Sequence, residues 1–467
     1  MWSERERRYP MRNFKKFILI AIDTLNVDHV GCYGYNIPRE PVTPFLDSLA
    51  SEGVIFLNHY ASDVPTPSSY TSLFTGRRGI KHGIIGFRNT SEEFICPTPL
   101  LAECFSQAGF QTGMISNLLY PCPWLVRGFQ YIYPPGLRFQ GGDAEEVTEK
   151  SIHWLDDHYQ DNFFLFLHYW DPHVPYTKRG KDKFKKLFSP EEYNEYAPSM
   201  EYFERNPILK KIYELKQHFT GDSLDPRENL AHYDANIRYV DECIGELFHH
   251  LEKLKIREDT LMVITSDHGE AFGEYGFWDH YSSYRNISQL LLLFVGEGLP
   301  KGKKIQAYTQ NIDVMPTLLE FAEIEIPPSL CGRSLLPLLK GERDDFRKEI
   351  VVNSDATVIQ RMFVKDGYAL VHTLSRPVWD HIKKYELFNL HEDPHQLRDI
   401  SQQEEEKFKE MKVYFIDWLA EELGDAPDPL WKSVFRGGWM WGTFARLLGK
   451  EEWQKVVRKY PVLEKAV

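Results

Sequence analysis

The sequence has little of what marks several large classes of protein. Its 467 residues include only six cysteines and no Cys-x-x-Cys pair, so a disulfide framework is not indicated and we expect a reducing, cytoplasmic compartment. No apolar run approaches the ~20 residues that cross a bilayer, which argues against a membrane span. The net charge of −13 leaves no domain-wide basic surface, which argues against a nucleic-acid partner.

One segment near the start superficially resembles a signal peptide. Arg12, Lys15 and Lys16 precede an apolar run at residues 17–22. The run is short, and it ends at Asp23 without a small-residue cleavage site. We therefore predict a buried strand at this position.

Continuous apolar runs separated by helical patterns predict the fold class. The runs lie at residues 17–22, 163–167, 261–265 and 290–295. They lack the alternation of a half-exposed strand and are typical of strands covered on both faces. Apolar residues at helical spacing predict a helix over 236–254 between two of these runs. We predict an α/β fold with a large, mostly parallel sheet sandwiched by helices.

The pattern changes near residue 344 and predicts a division into domains. Residues 12–343 would form the large domain, with a charged and irregular insertion at about 177–230 whose simplest interpretation is a solvated face. Residues 344–424 would form a smaller C-terminal α+β domain with an antiparallel sheet and one helix. The tryptophan-rich tail, residues 425–467, could pack over the site, form an oligomer contact or cover the core.

Thr66 has the sequence context of an activated hydroxyl. Pro67 favours the first turn of a helix, which makes Thr66 the predicted N-cap, and Gly76 would end that helix. The positive end of a helix dipole favours an alkoxide or a bound anion. A Thr-Pro pair is also a common plain cap, so this motif needs support from elsewhere in the chain.

Polar side chains follow three of the predicted strands, at the edge where open parallel sheets bind ligands. Asp23 follows the first strand, the group His168, Asp171 and His173 follows the second, and Asp267 with His268 follows the third. Two carboxylates, an imidazole and the Thr66 hydroxyl would suit one divalent cation (Mn, Ca, Mg or Zn), and the imidazole favours manganese or zinc.

Several motifs in chain order resemble the sulfatase family of the alkaline phosphatase superfamily. They are Ile-Asp-Thr-Leu at 22–25, Asp-His-Val-Gly-Cys-Tyr-Gly at 28–34, Thr-Pro at 43–44, Ser-Leu-Phe-Thr-Gly at 72–76, the segment 168–175 and Ser-Asp-His-Gly-Glu at 266–270. The C-terminal Glu-Leu-Phe-Asn-Leu at 386–390 and Asp-Pro at 393–394 also resemble that family's second domain. The resemblance covers about the first 340 residues and part of the remainder.

The resemblance implies roles for the matching positions. Asp23, Asp267 and His268 would hold the metal together with Thr66, the nucleophile. His173 and His280 fall where the family binds the substrate's oxyanion or protonates the leaving group, although each could be a plain loop or core histidine.

The family's Lys-x-His pair, expected after Ser116, is missing from this chain. Asn117, which stands where the family's Lys-x-His pair is expected, and His168 are predicted to bind substrate. Asp171, His173 and His280 have the ligand types of two-metal relatives, so a second metal stays an open alternative.

The departures from the family pattern favour phosphorus esters. Active sulfatases carry a cysteine or serine, matured to formylglycine, in a Cys/Ser-x-Pro-Ser-Arg signature, whereas this chain has Thr66 and, at the arginine position, Tyr70. Threonine cannot become that aldehyde, but its alkoxide suits phosphoryl transfer, as in superfamily relatives with threonine nucleophiles.

We therefore expect a metal-dependent hydrolase of small anionic phosphate, phosphonate or sulfate esters. A phospho-group transferase and a catalytically silent binding protein remain alternatives, and homo-oligomerisation stays open.

Overall fold

The computed structural model describes residues 14–87, 89–136, 141–438 and 440–465. Its largest element is an eight-stranded sheet, which confirms the predicted α/β class. The strands are β1 Lys16–Ile22, β2 Val54–Phe56, β3 His59–Tyr60, β4 Asp63–Val64, β5 Gln111–Ile115, β6 Tyr131–Ile132, β7 Phe163–Tyr169, β8 Thr260–Ser266, β9 Leu292–Val295, β10 Lys303–Ile305, β11 Thr309–Gln310, β12 Glu349–Asp355, β13 Ile359–Lys365, β14 Tyr368–Ser375 and β15 Tyr385–Asn389. The large sheet has the order β10-β2-β9-β8-β1-β7-β5-β6, in which only β9 runs antiparallel to its neighbours.

Fifteen α-helices of the described residues cover the sheets. They are α1 Pro44–Glu52, α2 Thr66–Thr75, α3 Gly79–His82, α4 Leu101–Gln107, α5 Ala144–His158, α6 Asp182–Lys185, α7 Glu201–Arg205, α8 Pro207–Thr220, α9 Pro226–Lys253, α10 Arg285–Ser288, α11 Val314–Phe321, α12 Leu336–Leu339, α13 Glu405–Leu423, α14 Leu430–Arg436 and α15 Trp441–Lys459. None of the helices in the described ranges is long and apolar enough to cross a membrane.

The central strand β1 shows why the apolar runs lack alternation. Ile18 and Ile20 belong to the hydrophobic cluster that includes α5 and α9, whereas Phe17 and Leu19 belong to the cluster that includes α2, α4 and α11. Because successive side chains point to opposite faces, a strand covered on both sides must be apolar at every position. Burial of both faces fixes the register of β1 against β7 and β8.

The smaller sheet has the order β15-β14-β13-β12-β4 and lies in the C-terminal region, as predicted. Strands β12 to β15 pair antiparallel, and α13 packs on them through Met411 and Phe415. Its edge strand β4 comes from the N-terminal region and pairs parallel with β12. Since β4 leads directly into Pro65 and Thr66, the small sheet helps to place the start of α2.

Two expectations about the chain between the sheets were wrong. The insertion at 177–230 is not irregular, because it contains α6, α7, α8 and the start of α9. Helix α8 has an Asn206 cap that accepts from the N–H groups of Ile208 and Leu209, and it buries Leu209 and Ile212. Helix α9 begins at Pro226, ten residues before the predicted start, since Asp225 caps it there.

The tail resolves part of the ambiguity left by the sequence. Trp441 is fully buried in the cluster that includes α5 and α9, and its ring lies 6.0 Å from that of Trp379 and 5.5 Å from that of Phe444. Trp431 is half exposed and therefore does not cover the core. Arg12, Trp439 and the two C-terminal residues, with the predicted domain limits at 12 and 467, lie outside the described residues.

Candidate active site

The carboxyl ends of three neighbouring strands place acidic and imidazole groups together. Asp23 follows β1 and Asp267 follows β8, and the paired register puts Ile22 opposite Ser266. Ligand atoms of Asp23, Asp267 and His268 all lie within 4.8 Å of one another, and all three residues are buried. We call these three residues the acid–imidazole cluster.

Thr66 lies against this cluster, although it does not cap its helix as the sequence suggested. Pro65 occupies the N-cap position of α2 with extended backbone angles, so Thr66 is the first helical residue and makes no capping hydrogen bond. Its Oγ1 lies instead 3.0 Å from His268 Nε2. The hydroxyl of Ser69, one turn further along, donates to the backbone carbonyl of Asp267 at 2.7 Å and joins the two segments.

The cluster has the donor set that a divalent cation requires. Asp267 Oδ1 accepts from the backbone N–H groups of Thr24 (3.1 Å) and His268 (2.9 Å), whereas Asp267 Oδ2 and Asp23 Oδ1 are buried without a hydrogen-bond donor. His268 Nδ1 lies 3.0 Å from the carbonyl of Gly269 and donates to it, which leaves the lone pair on Nε2.

The pKa shifts of Asp23 and His268 also favour a bound cation. Burial raises the pKa of Asp23 well above its ordinary value, and the neighbouring charge of Asp267 adds to the effect. Burial also lowers the pKa of His268 to about 4, with Asp267 opposing the shift. A bound cation would compensate two buried carboxylates that lack enough donors, so the residues fit a metal.

His168 lies behind Asp23 and not at an open surface. Its Nε2 is 3.1 Å from Asp23 Oδ2, its Nδ1 is 3.2 Å from Ser116 Oγ, and the side chain is fully buried. Tyr70 packs edge-on against this ring at 5.0 Å, and its hydroxyl is buried without a hydrogen-bond partner. This position favours a role in orienting Asp23, while the predicted contact of His168 with substrate stays a prediction.

His280 and His173 border the cluster on its other side. The His280 ring stacks on that of His268 at 4.2 Å and lies 5.3 Å from that of His173. Glu270 Oε1 is 3.3 Å from His280 Nδ1, and His173 Nδ1 is 2.7 Å from the carbonyl of Val174. Burial lowers the pKa of both imidazoles, that of His280 to about 4. Both histidines therefore lie beside the acid–imidazole cluster, and the roles that the resemblance implies for them stay predictions.

The remaining predicted residues, Asn117 and Asp171, form hydrogen bonds with backbone groups. Asn117 is buried and donates through Nδ2 to the carbonyl of Gly141, so it joins the end of β5 to the loop before α5. Asp171 accepts from the backbone N–H of Ala144 at 3.2 Å. Within the part of the chain that the structure describes, no second group of three metal-type side chains converges as the cluster does, and the second metal stays a prediction.

Lys216 and Tyr281 have no role predicted from the sequence, but both contact Asp279. Lys216 of α8 is 6% exposed and forms an ion pair with Asp279, next to His280. The hydroxyl of Tyr281 donates to the other carboxylate oxygen of Asp279 at 2.5 Å. Lys216 lies in the segment whose predicted interpretation is a solvated face. In the sequence, only its helical spacing from the apolar residues Ile212 and Tyr213 indicates that it is buried.

The chain is similar to known proteins over most of its length. A sequence model of the sulfatase family matches residues 15–324, and one described as N-sulphoglucosamine sulphohydrolase, C-terminal, matches residues 273–421. The chain is 23% identical over 506 aligned residues to an N-acetylglucosamine-6-O-sulfatase of Bacteroides thetaiotaomicron, with 90% of this chain and 89% of that protein covered.

Two solved structures share the fold. Phosphonate monoester hydrolase of Agrobacterium radiobacter superposes with a TM-score of 0.72 at 18% identity, covering 87% of this chain and 95% of that one. A complex with D-glucosamine-2-N,6-O-disulfate superposes with a TM-score of 0.69 at 21% identity, covering 89% of this chain and 99% of that one.

Proposed function

Because the chain belongs to the sulfatase family, we propose that it is a metal-dependent hydrolase of small anionic esters in which Thr66 is the nucleophile. As a family member it is an ester hydrolase of the alkaline phosphatase superfamily. The observation that carries the proposal is the 3.0 Å separation of Thr66 Oγ1 from His268 Nε2 at the acid–imidazole cluster.

Asp23, Asp267, His268 and Thr66 would hold the metal. Thr66 Oγ1 and His268 Nε2 lie 3.0 Å apart, so both atoms would be available to one ion. When bound, a divalent ion supplies positive charge that lowers the pKa of a neighbouring hydroxyl and offsets charge on an ester oxygen. Its identity is part of the proposal, with manganese or zinc favoured by the imidazole.

The residues of the chain itself account for the remaining steps. The Thr66 hydroxyl loses its proton to solvent, and Oγ forms a bond to phosphorus or sulfur while the bond to the leaving oxygen breaks. Water then hydrolyses the covalent ester and restores the Thr66 hydroxyl. His280, which contacts Glu270, and His173 beside it would stabilise charge on the leaving oxygen or protonate it. Burial of the cluster excludes bulk water from the reacting hydroxyl.

Phosphate and phosphonate esters are the favoured substrates. Thr66 cannot be matured to the formylglycine aldehyde that active sulfatases carry at this position. Tyr70, at the position of the family's arginine, presents a neutral hydroxyl among buried side chains. These departures support phosphoryl chemistry over sulfate chemistry at this site.

Substitution of Thr66 tests the proposal directly. We expect Thr66→Ala to lower turnover of the best aryl phosphate, phosphodiester, phosphonate or sulfate by at least about 10³-fold while the folded spectrum is kept. Thr66→Ser should retain part of the activity because it keeps a hydroxyl.

The matched control for this substitution is Ser68→Ala. It removes a hydroxyl from the same helical turn, one that donates to the carbonyl of Pro65 at 2.8 Å, and it should leave turnover within a few-fold of wild type. Unchanged activity in Thr66→Ala would reject Thr66 as the nucleophile. Product analysis with an added alcohol would reveal a transferase.

A further inference from the structure

A cavity of about 930 Å³ opens directly outside the two candidate catalytic histidines. His173, His280 and Lys216 form its buried floor, and each is at most 7% exposed. Phe219 at its mouth is 69% exposed. We call this space the outer cavity, and its position gives it access to whatever leaves the reacting centre.

The walls of the outer cavity come from the insertion and the tail. Lys216 and Phe219 lie three residues apart on one face of α8. Thr443 and Leu447 lie one turn apart near the start of α15, and Met440 is the residue immediately before that helix. The two helices pack against each other, so together they close one side of the cavity.

One part of the cavity wall is apolar. Phe219, Met440 and Leu447 contribute ring, thioether and aliphatic surface near the mouth. Thr443, the hydroxyl of the tail helix that lines the cavity, already accepts from Arg446 Nη2 at 3.0 Å. Polar recognition of a hydroxyl-rich ligand would need donors and acceptors that are not already engaged.

The acidic groups of the lining are also engaged within the protein. Asp279 pairs with Lys216, and Asp143 accepts from the backbone N–H of Glu146 as the cap of α5. Glu146 itself accepts from the N–H of Gly136 at 2.9 Å and lies 3.4 Å from Lys150 Nζ. Asp279 thus has both oxygens engaged, and Asp143 and Glu146 each have at least one oxygen engaged, which leaves fewer acceptors for a cationic or sugar-like leaving group.

Lys178 and Arg179 also line the outer cavity and carry positive charge toward an anionic ester. The guanidinium of Arg179 is near enough to the centre to oppose the burial-driven rise in the pKa of Asp171. A planar guanidinium suits the oxygens of a phosphoryl group. The two positive side chains would thus contact the charged ester group, and the apolar wall would contact another part of the same ligand.

We propose that the outer cavity binds the alcohol part of the substrate and selects esters of apolar, alkyl or aryl alcohols. The proposal rests on the proposed function, because it assigns the leaving group of the same reaction. An ester of an apolar alcohol differs from the sulfated sugar that is bound in the structurally similar complex. Leu447 and Phe219 are accordingly specificity-determining residues supplied by the tail and the insertion.

The test uses alkylphosphonic acids from methyl to hexyl, which carry no ester bond and are not hydrolysed at phosphorus. Calorimetric titration of the metal-loaded full chain should show affinity rising up to about fourfold per methylene, the value for full burial of each group. 2-Hydroxyethylphosphonic acid should bind more weakly than propylphosphonic acid. An affinity independent of chain length, or tighter binding of the hydroxyl compound, would overturn the proposal.

Variants locate the effect in the outer cavity. Leu447→Ser and Phe219→Ser should flatten the dependence on chain length while methylphosphonic acid binds as in wild type. Lys450→Ser, exposed on the same tail helix and outside the cavity lining, is the matched control and should keep the full dependence. An equal slope in Leu447→Ser, Phe219→Ser and Lys450→Ser would overturn the assignment.

The binding experiment separates this proposal from the catalytic one. Chain-length dependence in a protein that turns over no ester would support the cavity assignment and reject the proposed function. Turnover of esters by a protein without chain-length dependence would support the proposed function and reject the cavity assignment.

Discussion

The acid–imidazole cluster and the outer cavity lie side by side but are built differently. The cluster comes from the ends of β1 and β8, whose registers are fixed by burial on both faces of the sheet. The outer cavity comes from α8 and α15, which belong to the insertion and the tail. The proposed function thus assigns the reaction to the sheet, and the proposed specificity is assigned to the added helices.

The largest expected effect comes from a substitution in the acid–imidazole cluster that leaves the outer cavity unchanged. Asp23→Asn should lower activity on the order of 10³-fold and reduce bound metal, measured by elemental mass spectrometry. Its metal-free stability should equal or exceed that of wild type, because the pKa of Asp23 shows that its buried charge is unfavourable without a cation. Alkylphosphonate chain-length dependence should be retained in any residual binding.

The matched control is Asp63→Asn, a second buried carboxylate near the start of α2. Asp63 accepts from Ser72 Oγ and the backbone N–H of Gly79, both at 2.8 Å, and from Asn353 Nδ2 at 2.8 Å. Its loss should cost about 1–3 kcal/mol of unfolding free energy while the metal is kept. If Asp63→Asn lost metal as Asp23→Asn does, the special role of the cluster would be refuted.

Sequence reasoning could reach the cluster because the determinants are local. An apolar run predicts where β1 or β8 ends, and parallel strands of one sheet bring their ends to one edge, so Asp23 and Asp267 were expected to meet. The same reasoning misplaced Thr66 by one position, since it could not anticipate that Pro65 would take the cap after pairing of β4 with the small sheet.

The outer cavity was beyond sequence reasoning for a physical reason. Lys216 follows a run of charged residues, and a charged helix face normally contacts water. Its burial depends on Asp279, which is distant in the chain and adjacent in space. The role of the tail likewise depends on how Trp441 inserts beside Trp379, a contact without a local pattern.

The second prediction concerns the ion pair that joins the two regions. Lys216→Met would leave Asp279 buried without its cation and should cost about 3–5 kcal/mol of unfolding free energy, measured by denaturant titration. The double variant Lys216→Met/Asp279→Asn should recover most of that loss. Additive losses in the double variant would show that the two side chains do not act as a pair.

The smallest expected effect is a dependence of the unfolding free energy on pH, which we attribute to Asp28. Asp28, in the loop after β1, accepts from Arg285 Nη1 at 3.0 Å and Nη2 at 2.9 Å, and His395 Nδ1 is 3.5 Å away. Burial alone would raise the pKa of Asp28, but the charge of Arg285 and the contacts with His395 outweigh it and hold that pKa below its ordinary value.

A lowered carboxyl pKa stabilises the fold fully above the unfolded value of about 3.9, and the contribution is lost as the pH falls toward the folded value. Unfolding free energy measured from pH 7 to pH 2 should therefore fall by about 2 kcal/mol more in wild type than in Asp28→Asn. Parallel curves would contradict the assignment. The more exposed pair of Arg127 with Glu103 is the control, and Arg127→Met should change stability by less than about 1 kcal/mol.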